Sequence, residues 1–373
     1  MGQYEVDYSE VTGKRMECLD GCGLCCLCQP EVLPEERAFF RENHRDSMVA
    51  GRGPGQQLAL ALKKGRGSCV FLSDGTRRCG IYANRPTYCR QYPYHLYVGE
   101  RVRVEANLSC RGLWTGKGAD ALAEATAVVK AADRRIVSAM SRSKEVYRQF
   151  YRNCEEAGVL ADQSQLRAAV RDKLMDFTDL GFLSKVMDAS VMEPVMTLDG
   201  LQSTADPDLA ELEAAARESA LESMASTDPF NAPVYCDPDL DWNLFMVRDG
   251  QVSWNLLTDA GDIIVKDTVA AEGIGLKPLE EGGREVLADY IGVLNERDSF
   301  MGYVFSLIDY NGYEDDMANA YYGCLSTTVL DLMWRASMLD HFTGCGMGAA
   351  GIREAIVFYD MDRLDAPAIG AFV

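Results

Sequence analysis

The stretch CLDGCGLCCLC, residues 18–28, places five cysteines within eleven positions. A hydrophobic core has little use for so many thiols in one place, because a cysteine fills no more space than other small residues. Cys25 and Cys26 are adjacent, and neighbouring cysteines cannot easily reach disulfide geometry with each other. The stretch therefore indicates chemistry, and any fold of this chain has to accommodate it.

The cysteines are unevenly distributed along the chain. Nine of the thirteen lie between Cys18 and Cys110, and the others are scattered singly at Cys154, Cys236, Cys324 and Cys345. A chain of 373 residues is long enough for two or three domains. The distribution predicts a cysteine-cluster domain at residues 1–118. The patterns beyond it predict a helical region at 119–230 and a mixed α/β region with a β-hairpin or meander at 231–373.

The charge and the N-terminal residues bear on compartment and partners. The net charge is −20, which disfavours binding to nucleic acid and to anionic membranes. The first 18 residues contain no apolar run of the signal-peptide kind, and no long apolar segment predicts a membrane-spanning helix. We therefore expect a cytoplasmic protein, in which thiols stay reduced.

Three interpretations compete for the cysteine cluster. Disulfides would require an oxidising compartment and suitable pairing geometry. A thiol relay at Cys22 and Cys25, a C-x-x-C pair, lacks the βαβ context of thioredoxin-like motifs. Metal ligation is the favoured interpretation, because thiolates select zinc or iron–sulfur clusters and four of them complete a tetrahedral site. Eight or nine thiolates could complete two such sites or one polynuclear cluster.

Arginines accompany the later cysteines. Arg85 and Arg90 lie on either side of Cys89 in the stretch CGIYANRPTYCRQYP, which begins at Cys79. A four-thiolate site around a divalent ion carries a net negative charge, and guanidinium groups would offset that charge. Arg85 and Arg90 are therefore predicted cofactor-binding residues, and the alternative is that both are solvated on a loop.

These motifs together resemble the YkgJ-type cysteine-cluster family of zinc- or iron-chelating domains. The resemblance covers roughly residues 15–115 and rests on C-x3-C-x2-CC, C-x-F-L and C-x-I-Y-x-x-R-P-x-x-C-R-x-Y-P. It implies that the chain binds metal, and it leaves the metal and the reaction open. Cys28 is additional to the family pattern. The predicted ligands are Cys18, Cys22, Cys25, Cys26, Cys69, Cys79, Cys89 and Cys110.

The predicted cofactor is an iron–sulfur cluster, in the first place of the 4Fe–4S type, or zinc. His95 is the better histidine for a mixed site and His44 the poorer one, but eight thiols suffice without either, and both are left out. The leading function is metal binding in electron transfer or in the maturation of another protein, so the expected partner is a protein. Two alternatives remain open: a protein lysine methyltransferase, because flagellin lysine N-methylases look like relatives, and a structural zinc module.

The rest of the chain predicts an α+β fold. A helix is expected over most of 37–64, broken by GRGPG at 51–55. An amphipathic helix with an apolar stripe that reaches Cys154 should follow residue 118, and a later helix should start at Asp206. A hairpin is expected around Asp249-Gly250, followed by helices at about 279–298 and 315–341 and by a strand at 355–359. The glycine-rich 344–351 is expected to end a helix.

Overall fold

The computed structural model describes residues 4–51, 58–225 and 232–373. These residues contain ten α-helices and twelve short or medium strands, which confirms the α+β class. The helices are α1 Arg37–Asn43, α2 Thr87–Gln91, α3 Ala121–Ala157, α4 Gln163–Arg171, α5 Leu180–Met192, α6 Leu209–Met224, α7 Gly283–Glu296, α8 Asp298–Tyr310, α9 Met317–Thr343 and α10 Ala349–Leu364. The strands are β1 Val6–Asp7, β2 Arg15–Met16, β3 Met48–Val49, β4 Ala59–Leu60, β5 Tyr94–Val98, β6 Val102–Ala106, β7 Ala119–Asp120, β8 Val234–Cys236, β9 Trp242–Arg248, β10 Gln251–Leu257, β11 Ile263–Ala270 and β12 Ala371–Phe372.

Two four-stranded sheets organise the strands. The first has the order β1-β6-β5-β12, so it joins both ends of the chain to the hairpin β5–β6. The second is an antiparallel meander with the order β11-β10-β9-β8. The predicted hairpin turn is confirmed: Asp249 and Gly250 both have positive φ, at 51° and 74°, as a type I′ turn requires.

The long helix α3 follows its predicted stripe. The Asp120 side chain caps its first turn by accepting from the Leu122 N–H at 3.2 Å. Its buried face includes Ala125, Ile136 and Cys154, and it ends at Gly158 in the left-handed conformation. Thirty-seven residues give a helix of about 55 Å, long enough to pass both the hairpin β5–β6 and the helices of the C-terminal half.

One apolar core joins residues from all three predicted regions. It includes the inner faces of β5, β6 and α3, and it continues through α4–α10. Helix α9 lies at its centre and is buried along most of its length. A smaller cluster under the cysteine-rich segment consists only of Val32, Phe40, Leu60, Cys69 and Ile81, with a few partly buried neighbours. None of the helices in the described part of the chain is both long and apolar enough to cross a membrane.

A fully buried arginine connects the N-terminal residues to this core. Arg297, between α7 and α8, contacts Glu10 at 2.9 Å and Asp360 of α10 at 2.6 Å. Its Nη2 also donates to the Ala106 carbonyl at 2.8 Å, and the Asp360 carboxylate accepts from the Leu108 N–H at 2.6 Å. The charges are thus paired and hydrogen-bonded, which is the condition under which buried ions are tolerated.

Two predicted elements are wrong. Most of 37–64 is not helical, because α1 stops at Asn43 and Ala59 and Leu60 pair as strand β4 with β3, where both are buried. Burial in the small core outweighs their helix propensity. The predicted break at 51–55 lies, apart from Gly51, outside the described residues. The predicted strand at 355–359 belongs to α10, since a helix buried on all sides has the same continuous apolar run as a buried strand.

The remaining boundaries need smaller changes. Helix α6 is capped by Asp208, whose side chain accepts from the Glu211 N–H at 3.1 Å, and Asp206 lies in the preceding turn. The glycine-rich 344–351 ends α9 as predicted, with Gly344 in the left-handed region, and it also leads into α10. The predicted domain boundaries at 118 and 230 stay predictions.

Arg297→Leu should lower the free energy of unfolding by about 3–5 kcal/mol, because it leaves two buried carboxylates without their partner. The matched control is Arg171→Leu, which removes a solvent-exposed ion pair with Glu296 and should cost less than about 1 kcal/mol. Urea unfolding followed by circular dichroism measures both variants. Equal midpoints for the two would show that the buried pair contributes nothing specific.

Candidate metal centre

All nine cysteines of the first third line one cavity. Its volume is about 740 Å³, and it lies between the cysteine-rich segment and the N-terminal part of α3. The cysteines on its wall are Cys18, Cys22, Cys25, Cys26, Cys28, Cys69, Cys79, Cys89 and Cys110. The eight predicted ligands and Cys28, which is additional to the family pattern, are therefore brought to one place from three separate stretches of sequence.

Tight backbone turns present the first group of thiols. Gly21 and Gly23 have positive φ, at 88° and 60°, and a short 3-10 helix follows at Leu24–Cys26. A side chain at Gly23 would also lie 3.0 Å from the Trp242 ring, so a glycine serves both the turn and the close approach. The Cys26 carbonyl accepts from the Cys69 N–H at 2.7 Å, which joins the first group to the second.

The other thiols sit on short, well-anchored elements. Cys89 lies in α2, where the Glu36 carboxylate accepts from the Thr87 N–H at 2.8 Å. Cys110 follows β6, and its N–H donates to the Asn107 carbonyl at 3.0 Å. The positions of these thiols therefore depend on hydrogen bonds to loops and on the main core.

The sheet β8–β11 packs against the first cysteine motif. The Trp242 Nε1–H donates to the Cys22 carbonyl at 2.7 Å, and the indole is completely buried. The Arg77 guanidinium lies 4.1 Å above the Trp242 ring and pairs with Asp259 at 3.0 Å. The C-terminal half of the chain is thus in direct contact with the first cysteine motif.

A tenth cysteine reaches the cluster from this sheet. The Cys236 Sγ at the end of β8 lies 3.7 Å from the Cys22 Sγ, and Cys236 is fully buried. Sequence reasoning missed it and treated it as one of the scattered cysteines. Nothing in its spacing marks it, since it lies far along the chain from Cys110, and only the fold brings it beside Cys22. Cys236 does not itself line the cavity and joins the cluster through its contact with Cys22, and the other three scattered cysteines do not line the cavity either.

The two predicted arginines line the cavity. Arg85 stacks on the Tyr82 ring at 3.7 Å, and its Nε–H donates to the Tyr82 carbonyl. Arg90 pairs with Glu36 at 3.3 Å. Arg77 and Arg78 also line the cavity, although the sequence did not single them out. Four guanidinium groups therefore surround the thiols.

Burial makes most of these thiols weak acids. It raises the pKa of Cys69 to about 11 and that of Cys110 to about 12. Burial is also the largest cause of the raised pKa of Cys89, and repulsion from a charge on Cys25 adds to it in all three cases. Cys22 and Cys25 are the exceptions, because hydrogen bonds with the thiols of Cys236 and Cys26, respectively, lower their pKa values.

The thiols lie around the cavity and do not converge on a point. Within residues 4–51, 58–225 and 232–373, no three Cys, His, Asp or Glu side chains are arranged as ligands of a single ion. The donor set itself is soft, consisting of thiols with arginines beside them, and this chemistry fits zinc or iron. The chemistry of these residues therefore fits a thiolate-bound metal. The distances between the thiols determine how many metal ions they could bind together.

The histidines lie away from the cavity lining. His95 forms a hydrogen-bond contact with the Asn107 Nδ2 at 3.2 Å, and burial lowers its pKa to about 4. His44 caps the end of α1 and packs edge-on against the Phe71 ring at 4.9 Å. Tyr92 does line the cavity, and its buried hydroxyl has no hydrogen-bond partner among the described residues. Sequence reasoning missed Tyr92, although it lies within the last motif.

Comparisons with known proteins agree with the site. Residues 17–111 match the family described as "CxxCxxCC: Putative zinc- or iron-chelating domain", over about a quarter of the chain. A stretch of 62 residues is 37% identical to an uncharacterized protein of Methanocaldococcus jannaschii, and this alignment spans 15% of the chain and 34% of that protein. The chain thus covers about a third of the length of this relative. No solved structure matches the chain.

The match begins just before Cys18 and ends just after Cys110, so it contains all nine cysteines of the cavity. The family predicted from the motifs is confirmed for this segment. Residues 17–111 are therefore similar to a zinc- or iron-chelating domain, which supports metal binding by the cysteine cluster.

Proposed function

We propose that the chain binds a polynuclear iron–sulfur centre in the cavity and uses it to transfer electrons to a partner protein. The observation that carries the proposal is the presence of nine cysteines on the wall of one cavity. The resemblance to a zinc- or iron-chelating family supports metal binding and leaves the choice of metal to the geometry.

The number and separation of the thiols favour several metal ions over one. A single tetrahedral zinc site uses four ligands, and with Zn–S bonds of about 2.3 Å its sulfurs lie about 3.8 Å apart. Nine thiols around about 740 Å³ exceed what such a site can employ or fill. The inorganic core of an iron–sulfur cluster would occupy the space between more widely separated thiolates.

The surroundings of the thiols suit a redox centre. Arg77, Arg78, Arg85 and Arg90 line the cavity and would offset the negative charge of thiolates and sulfides. The unpaired Tyr92 hydroxyl supplies a donor for sulfur, and donors to sulfur tune the reduction potential of a cluster. An iron–sulfur cluster would supply reversible one-electron chemistry, and these residues would bind it and shield it.

One edge of the site is open to a partner. Cys18 and Cys28 are exposed, whereas Cys69 is buried. A centre bound there would lie close to the protein surface, where a second redox protein could approach. The chain carries a net charge of −20, so a partner with a basic face would be attracted to it. A structural zinc module and a protein lysine methyltransferase stay predictions, and the metal analysis below separates the first of them.

Protein purified without oxygen should contain iron and acid-labile sulfide at more than one iron per chain, and it should be brown. The measurement is elemental analysis combined with a sulfide assay and the visible spectrum, before and after dithionite. Bleaching by dithionite is expected, because a cluster accepts an electron. Zinc at one or two atoms per chain, with no sulfide, would contradict the iron–sulfur proposal and favour the structural module.

Cys25→Ser should lose most of the metal, because Cys25 lines the cavity and a charge on it raises the pKa of both Cys89 and Cys110, so it interacts with thiols of the other two stretches. Cys324→Ser is the matched control: Cys324 lies on α9 outside this cavity and should keep the wild-type metal content. Both are measured by metal analysis of anaerobic preparations. Equal loss from the two variants would show that the cavity thiols are not distinguished from the others.

Metal uptake by the apo-protein should become weaker as pH falls. Cys69 and Cys110 have pKa values of about 11 and 12, so both are protonated at neutral pH and have to release a proton when they bind metal. Raising the pH from about 6 to about 8 should therefore increase the apparent affinity for zinc. Competition with a chromophoric chelator at several pH values measures this. An affinity that does not depend on pH would contradict thiol ligation.

A further inference from the structure

We propose that Cys236, which lies outside the cysteine-cluster domain, is an additional metal ligand of the centre and shares a metal ion with Cys22. This inference rests on the proposed metal-binding function and extends it to the C-terminal half of the chain. It assigns a function to a residue that the sequence pattern does not single out.

The separation of the two sulfurs fits a shared metal. The Cys22 and Cys236 Sγ atoms are 3.7 Å apart. Two thiolates on one tetrahedral ion with bonds of about 2.3 Å lie about 3.8 Å apart, whereas the sulfurs of a disulfide lie about 2.05 Å apart. The observed spacing therefore fits two ligands on one ion and is too long for a disulfide.

The backbone on both sides of this pair is fixed. Trp242 faces Cys236 in the register of β8 and β9, and its indole N–H donates to the Cys22 carbonyl at 2.7 Å. A single buried ring thus locks the strand of one thiol against the loop of the other. The close approach of the two thiols is therefore set by the pairing of β8 with β9 and by this hydrogen bond.

Arg111 connects Cys236 to a third cysteine. It directly follows Cys110, and its Nε–H donates to the Cys236 carbonyl. Both terminal nitrogens of Arg111 donate to the Glu354 carboxylate of α10, one of them at 3.1 Å. A partly buried, bidentate ion pair of this kind holds its partners in one orientation. The Cys110 segment and the Cys236 strand are therefore held together.

The main chain beside Cys18 is adjacent to the Cys110 segment. The Glu17 N–H donates to the Gly112 carbonyl at 3.3 Å, and a Cβ added at Gly112 would lie 2.0 Å from the Glu17 carbonyl oxygen. Glycine at 112 permits this approach. Cys18 and Cys110 thus line the cavity together with Cys22, and Cys236 contacts Cys22 from the sheet.

The other thiols are anchored mainly elsewhere. Cys69 belongs to the small apolar cluster around Phe40 and Ile81, and Cys26, Cys79 and Cys89 contact it. Cys26 also contacts the cluster that contains Cys236 and Trp242, as Cys22 does. Cys236 therefore adds one thiol to the group that lies nearest the sheet.

The test compares Cys236→Ala with Cys154→Ala in full-length protein prepared without oxygen. Cys154 is the matched control, because it is equally buried and lies on the core face of α3. Cys236→Ala should lose a substantial share of the bound metal while its circular dichroism stays that of a folded protein, and Cys154→Ala should keep the wild-type content. Wild-type metal content in both variants would overturn the inference and leave the proposed function standing.

A second measurement covers the case in which Cys236→Ala does not fold. Wild-type apo-protein is treated with a maleimide in urea just below the unfolding transition, with and without stoichiometric Cd²⁺, and modified peptides are quantified by mass spectrometry. Cd²⁺ should slow the modification of Cys236 strongly and that of Cys154 little. The same ratio at both positions would overturn the inference. If the wild-type protein binds no metal in either experiment, the proposed function falls together with it.

Discussion

The buried Arg297 ion pairs hold together the parts of the chain on which the metal centre depends. Arg297 binds Glu10 from the N-terminal residues, the Ala106 carbonyl at the end of β6, and Asp360 of α10. Asp360 in turn accepts from the Leu108 N–H, two residues before Cys110. Removing a charged partner from such a group leaves a desolvated charge behind, so the arrangement is strongly constrained. It fixes the point from which Cys110 and Arg111 reach the cavity.

The site depends on two parts of the structure that differ in how much apolar surface they bury. The first part is the large core, which contains the hairpin β5–β6 and α3 and positions Cys110. The meander β8–β11 packs on this core and supplies Cys236 and Trp242. The second part is the segment from Cys18 to Cys89, whose own apolar cluster is small. A segment with so little apolar burial gains much from cross-linking by metal, because ligands far apart in sequence close long loops. The stability of the segment from Cys18 to Cys89 should therefore depend on metal binding in the cavity.

Local patterns predicted some parts of the structure well. The apolar stripe of α3 could be recognised in the sequence because its apolar residues recur at helical spacing. The Asp249-Gly250 turn could be recognised because such a turn needs residues that tolerate positive φ. The resemblance to the cysteine-cluster family could be recognised because the cysteines of its motifs have a fixed spacing. Helix α10 could not be recognised, since residues 355–360 are all buried and show no helical periodicity of apolar residues. Strand β4 could not be recognised either, since strand pairing and burial override helix propensity there. Cys236 and Tyr92 could not be ranked from sequence, because only tertiary contacts bring Cys236 to Cys22 and leave the Tyr92 hydroxyl unpaired at the cavity.

The central claim is that one cavity holds several metal ions bound by thiolates from both halves of the chain. X-ray absorption at the iron edge of the anaerobically prepared protein tests it most directly, because the spectrum reports the ligand atoms and any neighbouring metal together. The account predicts a first shell of sulfur alone and an iron–iron distance of about 2.7 Å, the separation expected when irons share bridging sulfides. A shell that contains nitrogen or oxygen ligands, or a sulfur shell with no neighbouring metal, would contradict it.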